Sequence, residues 1–545
     1  MKKFVEKGKK MITLSILAMA VMCGTALAAN IDAIVPASLP ITVSADGSVV
    51  TATNASIQNY GSDPLLVSSI NVAGQNGWSL ATKDTAATAA IGDKVIAMAF
   101  NGQWSDTNGV VNVASFDKIA AKGSLPLKYD AKAPAAKTAE SEEAATATFV
   151  VKDLSAPTMA AGSSWYKSTV DRNTITKITF MDSYTPSTAA DETWFADVDN
   201  TGSITCYRTG TEIIIAGDGS GKIKANANAS YMFSNPTRKS AFQKLSSFEG
   251  LNLLDTSQVT NMSYMFYYCL DLTNLDASPF NTFNVTNMDS MFSACISLTS
   301  LSLSNFDTSH VTSMSSMFKD CVALTGVDVS NFETECVINM SNMFAACFDL
   351  TTLDVSHFNT SNTVNMAGMF RACRKLEYID VSGFNTSNVT NMGGMFDSCS
   401  AVTNLDTSQF ATSKVTSMAS MFKACSSLTS IDVSNFNTSN VTNMGGMFIS
   451  CENITSLDLS NFDTSNVTIM YDMFEYCSGL TTIYASDKWN TDKVTDSNYM
   501  FSGCTKLKGD IAFNSNYVDK TYAKIHGGYL TIKSPVMAAG SSWYK

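Results

Sequence analysis

The sequence predicts an α/β solenoid that follows an all-β domain, and three observations lead to this prediction. The phrase Met-Phe-x-x-Cys returns ten times between residues 265 and 504. Its phenylalanines recur every 26 residues, with a single interval of 27. Short segments of alternating polarity fill residues 29–154 instead. A unit of about 26 residues cannot bury its own apolar face, so the copies must stack and share one core.

The N-terminus predicts a secretory signal peptide over residues 1–28. Five lysines precede an apolar segment from Met11 to Met22, and Ala26-Leu27-Ala28 matches a small-x-small cleavage site. We expect cleavage after Ala28 and export of the mature chain, which would be secreted or held at the cell surface. No later stretch reaches the about 18 to 20 apolar residues of a membrane-spanning helix, so we expect no transmembrane segment in the mature chain.

Residues 29–154 are expected to form a β-sandwich-like module. Turn clusters such as residues 60–64 separate short segments in which polar and apolar residues alternate, and this alternation is typical of half-buried strands. The segments are Ile41–Ser44, Val49–Thr53, Val95–Phe100 and Ala147–Val151.

A linker is predicted at residues 155–168, and its sequence returns at residues 535–545. The phrase Pro-x-Met-Ala-Ala-Gly-Ser-Ser-Trp-Tyr-Lys occurs in both places. The pair Trp165-Tyr166 is either a ligand platform or, as we favour, the start of a strand that packs on the next domain. The second copy either opens a further module that the chain lacks or serves as a terminal tag.

Two β-rich segments are expected to cap the array of residues 256–507. They are residues 169–255 on the N-terminal side and residues 508–534 on the C-terminal side. Two weak ligand motifs in the first cap do not predict a metal or a cofactor. The Asp197 segment has Arg208 where a calcium loop needs a bidentate Glu, and residues 217–222 are one residue short of a phosphate loop.

Within the array, one repeat illustrates the expected coil. Its apolar residues follow helical spacing after the candidate N-caps Thr308 and Ser309, and the alternation at residues 327–329 predicts one short strand. The apolar residues of the expected helix are Val311, Met314, Met317, Phe318 and Cys321. Each coil should therefore hold one short strand and one helix or helical turn, and the strands should form a long parallel sheet.

The repeat phrase also resembles a known family. Leu-Asp-(Val/Leu)-Ser-x-Phe-(Asn/Asp)-Thr-Ser-x-Val-Thr-x-Met-x-x-Met-Phe-x-x-Cys, almost complete at residues 431–451 and 457–477, is similar to the BspA-type leucine-rich-repeat surface proteins of bacteria. The resemblance covers about residues 169–534. It implies a leucine-rich-repeat-like fold, a place on the bacterial surface, and adhesion to host matrix or to other cells. It implies neither a particular ligand nor an active site.

Ten of the 13 cysteines occupy the same position of the repeat, on the predicted apolar stripe. In an exported chain they could pair as disulfides. We favour free thiols that stack as small buried hydrophobes, because this core is long and does not need the cross-links of a small scaffold.

An outward column of aspartates is the first candidate ligand surface, and positions that vary between copies are the second. The aspartates either form an acidic ladder for cations or a basic partner, or, as we favour, bond to the Ser and Thr residues of neighbouring turns. The candidate residues are Asp328, Asp354, Asp380, Asp406, Asp432, Asp458, Tyr267, Tyr268, Arg371, Arg374 and Lys375.

Composition limits the function further. A net charge of −12 argues against nucleic acid as a partner. Three histidines and no recognisable catalytic phrase argue against an enzyme. We therefore expect an adhesin-like protein that contacts host matrix proteins, other cells or polysaccharide through its exposed repeats, without cofactor or metal. A structural spacer is the alternative, and a carbohydrate- or peptide-acting enzyme is the remote one.

Overall fold

The computed structural model describes residues 11–22, 33–34, 39, 41–44, 48–51, 53–60, 64–120, 122–134, 141–153, 156–167, 169–237 and 241–533. The chain separates into two compact units, Met1–Ser155 and Ala156–Lys545. Residues 1–10 and 23–28 of the predicted signal peptide lie outside the described residues, as does the second copy of the repeated phrase at 535–545.

The first unit consists mainly of strands, because β-branched and alternating segments dominate its sequence. Its one described α-helix, α1 (Lys83–Thr88), begins at Thr82, whose side chain accepts a hydrogen bond from the Thr85 amide. The strands are β1 (Met11–Met22), β2 (Ala33–Ile34), β3 (Ile41–Ser44), β4 (Val49–Thr51), β5 (Ser56–Asn59), β6 (Leu65–Gly74), β7 (Ser79–Leu80), β8 (Val95–Phe100), β9 (Gln103–Trp104), β10 (Val110–Val111), β11 (Ser124–Pro126), β12 (Tyr129–Lys132) and β13 (Ser141–Asp153).

These strands form three sheets, ordered β10-β6-β13-β1-β3-β4, β11-β5-β2 and β12-β8-β7, with β9 paired to β8. The apolar segment that we predicted as the centre of a signal peptide is β1, which pairs with β13 in parallel and with β3 in antiparallel orientation. Ile41, Ile96, Phe100 and Phe149 lie in the core of this unit. Export through a signal peptide stays a prediction.

Where the β-rich cap was expected, the strands are β14 (Lys177–Met181), β15 (Glu192–Phe195), β16 (Thr205–Thr209), β17 (Glu212–Ala216), β18 (Ile223–Lys224), β19 (Ser247–Glu249) and β20 (Leu254–Asp255). Five of them form a mixed sheet ordered β15-β16-β17-β14-β19, and β18 pairs with β20 in parallel. The Asp197 segment, which starts like a calcium loop, is a turn in which the Asp197 carboxylate accepts hydrogen bonds from the amides of Thr201, Gly202 and Ile204. Short 3-10 helices lie at Gly162–Trp165, Arg172–Thr174, Leu251–Leu253 and Lys520–Tyr522.

The array consists of coils that repeat every 26 residues and stack through backbone hydrogen bonds. The predicted long sheet at the Leu-x-Val segment is interrupted, since only some coils form strands there. They are β21 (Asn274–Asp276), β22 (Ser300–Ser302), β23 (Ser456–Asp458) and β24 (Thr482–Ala485). The continuous ladder lies elsewhere, at the residue just before the first Met of each coil, from Asn228 through Asn261 and onward to Asp496. At the C-terminal end β25 (Leu530–Ile532) pairs with β24.

The sequence predicted one helix or helical turn in each coil. The helix is wrong, since no residue between 256 and 507 is helical, and consecutive turns occupy its place. Every second amide of the segment 314–320 donates to a carbonyl of the next coil, as Phe318 does to Met343 at 2.9 Å. The amides of Met317, Lys319 and Cys321 close turns onto the carbonyl three residues earlier, as Cys321 does to Phe318. Positive φ angles at Ser316 and Asp320 prevent helical continuation. The apolar spacing therefore marked the buried residues correctly but not the backbone that presents them.

The core of the array is a set of columns, each built from one residue type. The phenylalanines from Phe266 to Phe501 stack with centroids 5.4–6.0 Å apart and planes within 17° of parallel. Each of the ten repeat cysteines is buried and free, and its Sγ lies 2.9–3.3 Å from the carbonyl of a phenylalanine in the preceding coil. The favoured free-thiol arrangement is the one that the structure has.

Candidate binding surface

The aspartate column lies on the outside of the array, as the alternation predicted. The carboxylate of each of its six candidate residues accepts a hydrogen bond from the amide of the serine two residues later, at 2.9–3.1 Å. Hydrogen bonds from the side chain and amide of Ser330 lower the pKa of Asp328, and Ser408 lowers the pKa of Asp406 in the same way. Each carboxylate thus stabilises its own turn, as the favoured alternative describes.

One member of this column has a further partner. Asp458 forms an ion pair with Lys533, which follows β25. Burial alone would raise the pKa of Asp458, but the hydrogen bonds from Lys533 and Ser460 lower it. The last described residues therefore contact the aspartate column, and at Asp458 the carboxylate already has a basic partner within the chain.

A second surface is formed by the turns that replace the predicted helices. We call it the turn face: in each coil it comprises the two residues before Met-Phe and the two residues between Phe and Cys. In one coil these are Ala367, Gly368, Arg371 and Ala372. The flanking Met, Phe and Cys side chains are buried. Coils with the same core differ in size and charge at the turn face.

Tyrosines occupy the N-terminal end of the turn face. The rings of Tyr231 and Tyr264 stack at 4.6 Å with planes 4° apart. Tyr267 lies edge-on to Tyr264 at 5.4 Å, and Tyr268 lies 5.5 Å from Tyr267. The structure thus joins both predicted tyrosines to two aromatic residues that the sequence argument had not singled out. Their shared position, two residues before Phe in successive copies, was the available signal.

Small residues and charges occupy the middle of the turn face. The Arg371 Nε lies 3.2 Å from an oxygen of Asp397, whose side chain is only 8% exposed whereas that of Arg371 is 61% exposed. Arg371, Asp397, Gly368, Gly394 and Lys423 line a depression of about 420 Å³. A polar, open depression of this kind can accept hydrogen-bonding groups of a ligand.

The other two predicted basic residues lie beyond the buried cysteine and contact the preceding coil. The guanidinium of Arg374 lies 4.5 Å from the ring centre of Phe348, and the Lys375 Nζ lies 2.7 Å from Asp349. Arg371 instead pairs with the following coil. The three residues therefore do not form one basic patch.

The C-terminal end of the turn face is aromatic and acidic. Tyr471, Tyr476 and Tyr499 are 36%, 55% and 61% exposed. Burial, and next the charge of Asp496, raise the pKa of the Asp472 carboxyl. Tyr471 and Tyr499 were not among the candidate residues of the sequence analysis, because most coils hold a small or polar residue at the same positions.

The described residues contain no group of three or more His, Cys, Asp or Glu side chains that could hold a metal ion. Cys336 is the exposed thiol of the described part. His357 bonds to the Val329 carbonyl, and His310 contacts the ring of Phe283. No described helix has the length and apolar character needed to cross a membrane.

The array matches a family model described as "Mycoplasma protein of unknown function, DUF285". The matches cover residues 236–350, 322–431 and 400–515, which together exceed half of the chain. No curated protein matches the chain.

Two solved structures are similar to the chain. One is a leucine-rich repeat protein from Bacteroides ovatus, with 18% identity, a TM-score of 0.27, and coverage of 56% of this chain and 84% of that chain. The other is a leucine-rich cell surface protein from Faecalibacterium prausnitzii, with 17% identity, a TM-score of 0.27, and coverage of 61% and 86%. Both TM-scores are too low to assign a shared fold.

Proposed function

Since the chain belongs to the DUF285 family, for which no activity is stated, we propose from its surface that it is an exported, adhesin-like protein that binds through its turn face. Its partners would be host matrix proteins, other cells or bacterial polysaccharide. The resemblance of the repeat phrase to BspA-type surface proteins supports the same class of function.

The observation that carries the proposal is the contrast between core and turn face. Met, Phe and Cys return in every coil, whereas the same turn-face position holds Tyr264, Ser290, Gly368 or Asp472. Packing explains the constant residues. It does not require a tyrosine pair at one end, an open charged depression in the middle, and exposed tyrosines beside carboxylates at the other end. Exposed aromatic and charged side chains of this kind are typical of recognition surfaces.

The two alternatives predict different behaviour. A spacer needs the stacked core and no particular turn-face residue. An enzyme needs one side chain whose loss abolishes turnover, and among the carboxyls of the array Asp472 and Glu475 are those whose pKa burial raises, with a second contribution from neighbouring carboxylates. These two residues are the ones to substitute if a substrate screen detects turnover.

The test is a binding panel of matrix proteins and bacterial polysaccharides, probed with the purified chain. Turn-face variants take residues that other coils already have at the same positions, so that the fold is preserved: Tyr264→Ser, Tyr267→Ser and Lys423→Ala. The matched control is Asp380→Ser on the aspartate column, where another coil has Ser302. We expect at least one partner whose binding falls about tenfold or more in the combined turn-face variant and is unchanged in the control. Flat signals across the panel would favour the spacer.

A further inference from the structure

Residues 157–167, the repeated phrase within the predicted linker, lie along the start of the array; we call them the docking segment. Its backbone forms a ladder with the chain segment that leads into the first coil. The Met159 amide donates to the Lys224 carbonyl at 2.9 Å, and the Lys224 amide donates to the Pro157 carbonyl at 2.8 Å. The Gly162 amide donates to the Asn228 carbonyl at 2.9 Å. The segment thus covers the N-terminal end of the stack much as one coil covers the next.

Side chains fix the docking segment in place. The ring of Trp165 is fully buried, lies parallel to that of Phe242 at 6.1 Å, and donates its Nε1–H to the Met232 carbonyl at 2.7 Å. The Trp194 Nε1–H donates to the Trp165 carbonyl at 2.8 Å. A buried indole with its N–H satisfied is a strong anchor. We call the surface formed by Trp194, Lys224, Asn228, Met232 and Phe242 the docking groove.

Glycine is required at one position of the segment. Gly162 has a φ of +53°, and a Cβ atom there would lie 2.7 Å from the Ser230 carbonyl oxygen. A left-handed backbone conformation and a backbone contact this close both exclude larger residues. A sequence that fits the docking groove must therefore have Gly at this point and Trp three residues later.

The second copy of the phrase, residues 535–545, meets every one of these requirements. It keeps Met537, Gly540, Trp543 and Tyr544 at the same spacing, and it differs from the docking segment only by Val536 in place of Thr158. Thr158 contributes its backbone to the ladder, since the Val198 amide donates to its carbonyl at 3.0 Å. Valine is at least as suitable as threonine in an extended segment.

We propose that residues 535–545 are a second docking segment, able to occupy, on a second copy of this chain, the groove that residues 157–167 fill. The resident segment is tethered beside its groove, so its effective concentration there exceeds that of any free competitor. Exchange between copies therefore requires that the resident segment is weakened. When it is, copies of the chain join through a heterologous contact, the second docking segment of one copy in the docking groove of another.

The test measures binding of a fluorescein-labelled peptide of residues 535–545 to the full chain by fluorescence anisotropy. All chains carry Gly540→Ala, so that their own second copy cannot compete. Adding Gly162→Ala opens the groove, and we expect this chain to bind the peptide at least about tenfold more tightly than the chain with Gly540→Ala alone. A peptide with Gly540→Ala should bind at least about tenfold more weakly. Equal binding of both peptides, or no binding to the opened chain, would overturn the proposal.

A second variant that weakens the resident segment keeps the test valid if the Gly162→Ala chain does not fold. Trp165→Phe keeps an aromatic ring but loses the hydrogen bond to Met232, so it weakens the resident segment without removing its packing. Circular dichroism and the melting temperature show which of the two variants is folded, and the peptide-binding measurement uses that variant.

Light scattering then tests the link between copies. The Gly162→Ala chain with an intact second segment should gain mass with concentration, and Gly162→Ala/Gly540→Ala should remain monomeric. If the peptide binds but the Gly162→Ala chain is monomeric at every concentration, docking does not join two copies and that part of the proposal falls.

Discussion

At the scale of single residues, the array is held together by polar atoms inside it as well as by its apolar columns. Nine threonines, one in each coil from Thr256 to Thr464, donate their hydroxyl to a carbonyl of the next coil at 2.7–3.1 Å while remaining almost fully buried. A buried hydroxyl is stabilising only when it is paired, and here the pairing also fixes the vertical alignment of the coils.

Thr386→Val should lower the free energy of unfolding by about 1–3 kcal/mol, because it removes a buried hydroxyl that donates to the Ala411 carbonyl of the next coil at 3.1 Å. The Ala411 amide also loses its acceptor. The control is Thr390→Val, whose hydroxyl donates to the Val364 carbonyl at an exposed site. Water can replace that bond, so the change in stability should be less than about 0.5 kcal/mol. Denaturant titration of both variants measures the difference; similar losses would contradict a special role for the buried column.

The buried thiols make stability depend on alkaline pH. Burial raises the pKa of Cys295, Cys347 and Cys477 to about 12, from an ordinary value of 9.0. Above pH 9 the unfolded chain releases thiol protons that the folded chain retains. The contribution is therefore fully present below pH 9 and is lost as the pH rises toward 12.

Removal of a single buried thiol should measurably change how the free energy of unfolding depends on pH. Removing Cys373, whose pKa burial also raises, by Cys373→Ala should reduce the slope of unfolding free energy against pH by about 1.4 kcal/mol per pH unit between pH 9.5 and 11. Cys336→Ala, at the exposed thiol, should leave the slope unchanged. Equal slopes in the wild type and both variants would show that thiol ionisation does not drive alkaline unfolding.

At the scale of the element, the sequence predicted what is buried better than it predicted the backbone. Val311, Met314 and Phe318 are in the core as expected, because their spacing reports which side chains share a face. The same spacing suits a helix and a run of turns, and what separates them is the hydrogen bonding to the next coil, which a single repeat does not contain. The aspartate column was placed correctly, since alternation over three residues is local. The tyrosine pairing depends on stacking and was missed.

The turns also explain the distribution of glycine. Two positions per coil have positive φ, one of them held by Gly368, Gly394 and Gly446 in three coils and by Asn342 in another. A Cβ atom on Gly394 would meet only the Cβ of Asp397, at 3.8 Å, so conformation and not space limits the residue there.

Gly394→Val should therefore destabilise the chain by about 2 kcal/mol, since a β-branched residue is strained in the left-handed region. Gly394→Asn should cost less than half as much, because asparagine tolerates this conformation and occupies it at position 342. The urea unfolding midpoints of the two variants measure this difference. A Val variant as stable as the Asn variant would exclude conformational strain at position 394.

At the scale of the molecule, the second unit is a one-dimensional stack in which each coil contacts its neighbours. Phe370 lies between Phe344 at 6.0 Å and Phe396 at 5.8 Å, near the middle of the column. The stability of such an array is the sum of coil and interface terms, so damage at one coil is felt mainly beside it.

Phe370→Ala should cost about 3–5 kcal/mol locally, since it opens a cavity in the column. Hydrogen exchange should show lost amide protection between about residues 340 and 400, with smaller changes at both ends of the array. Phe283→Ala, at a ring that is 51% exposed, is the control and should leave exchange unchanged. A uniform rise in exchange along the whole array would show that the stack unfolds as a single unit.

The column of free thiols has a consequence for the time available to fold. For an exported chain, each repeat cysteine is open to oxidation only until its coil closes on the next. Each coil pairs with residues 26 positions away, as Ser313 does with Asn339, and contacts this local in sequence form fast, whereas uncatalysed disulfide formation takes seconds to hours. Folding therefore buries each thiol before it can oxidise, as long as the coils fold one after another. A delay at any coil would leave the unclosed cysteines to oxidise.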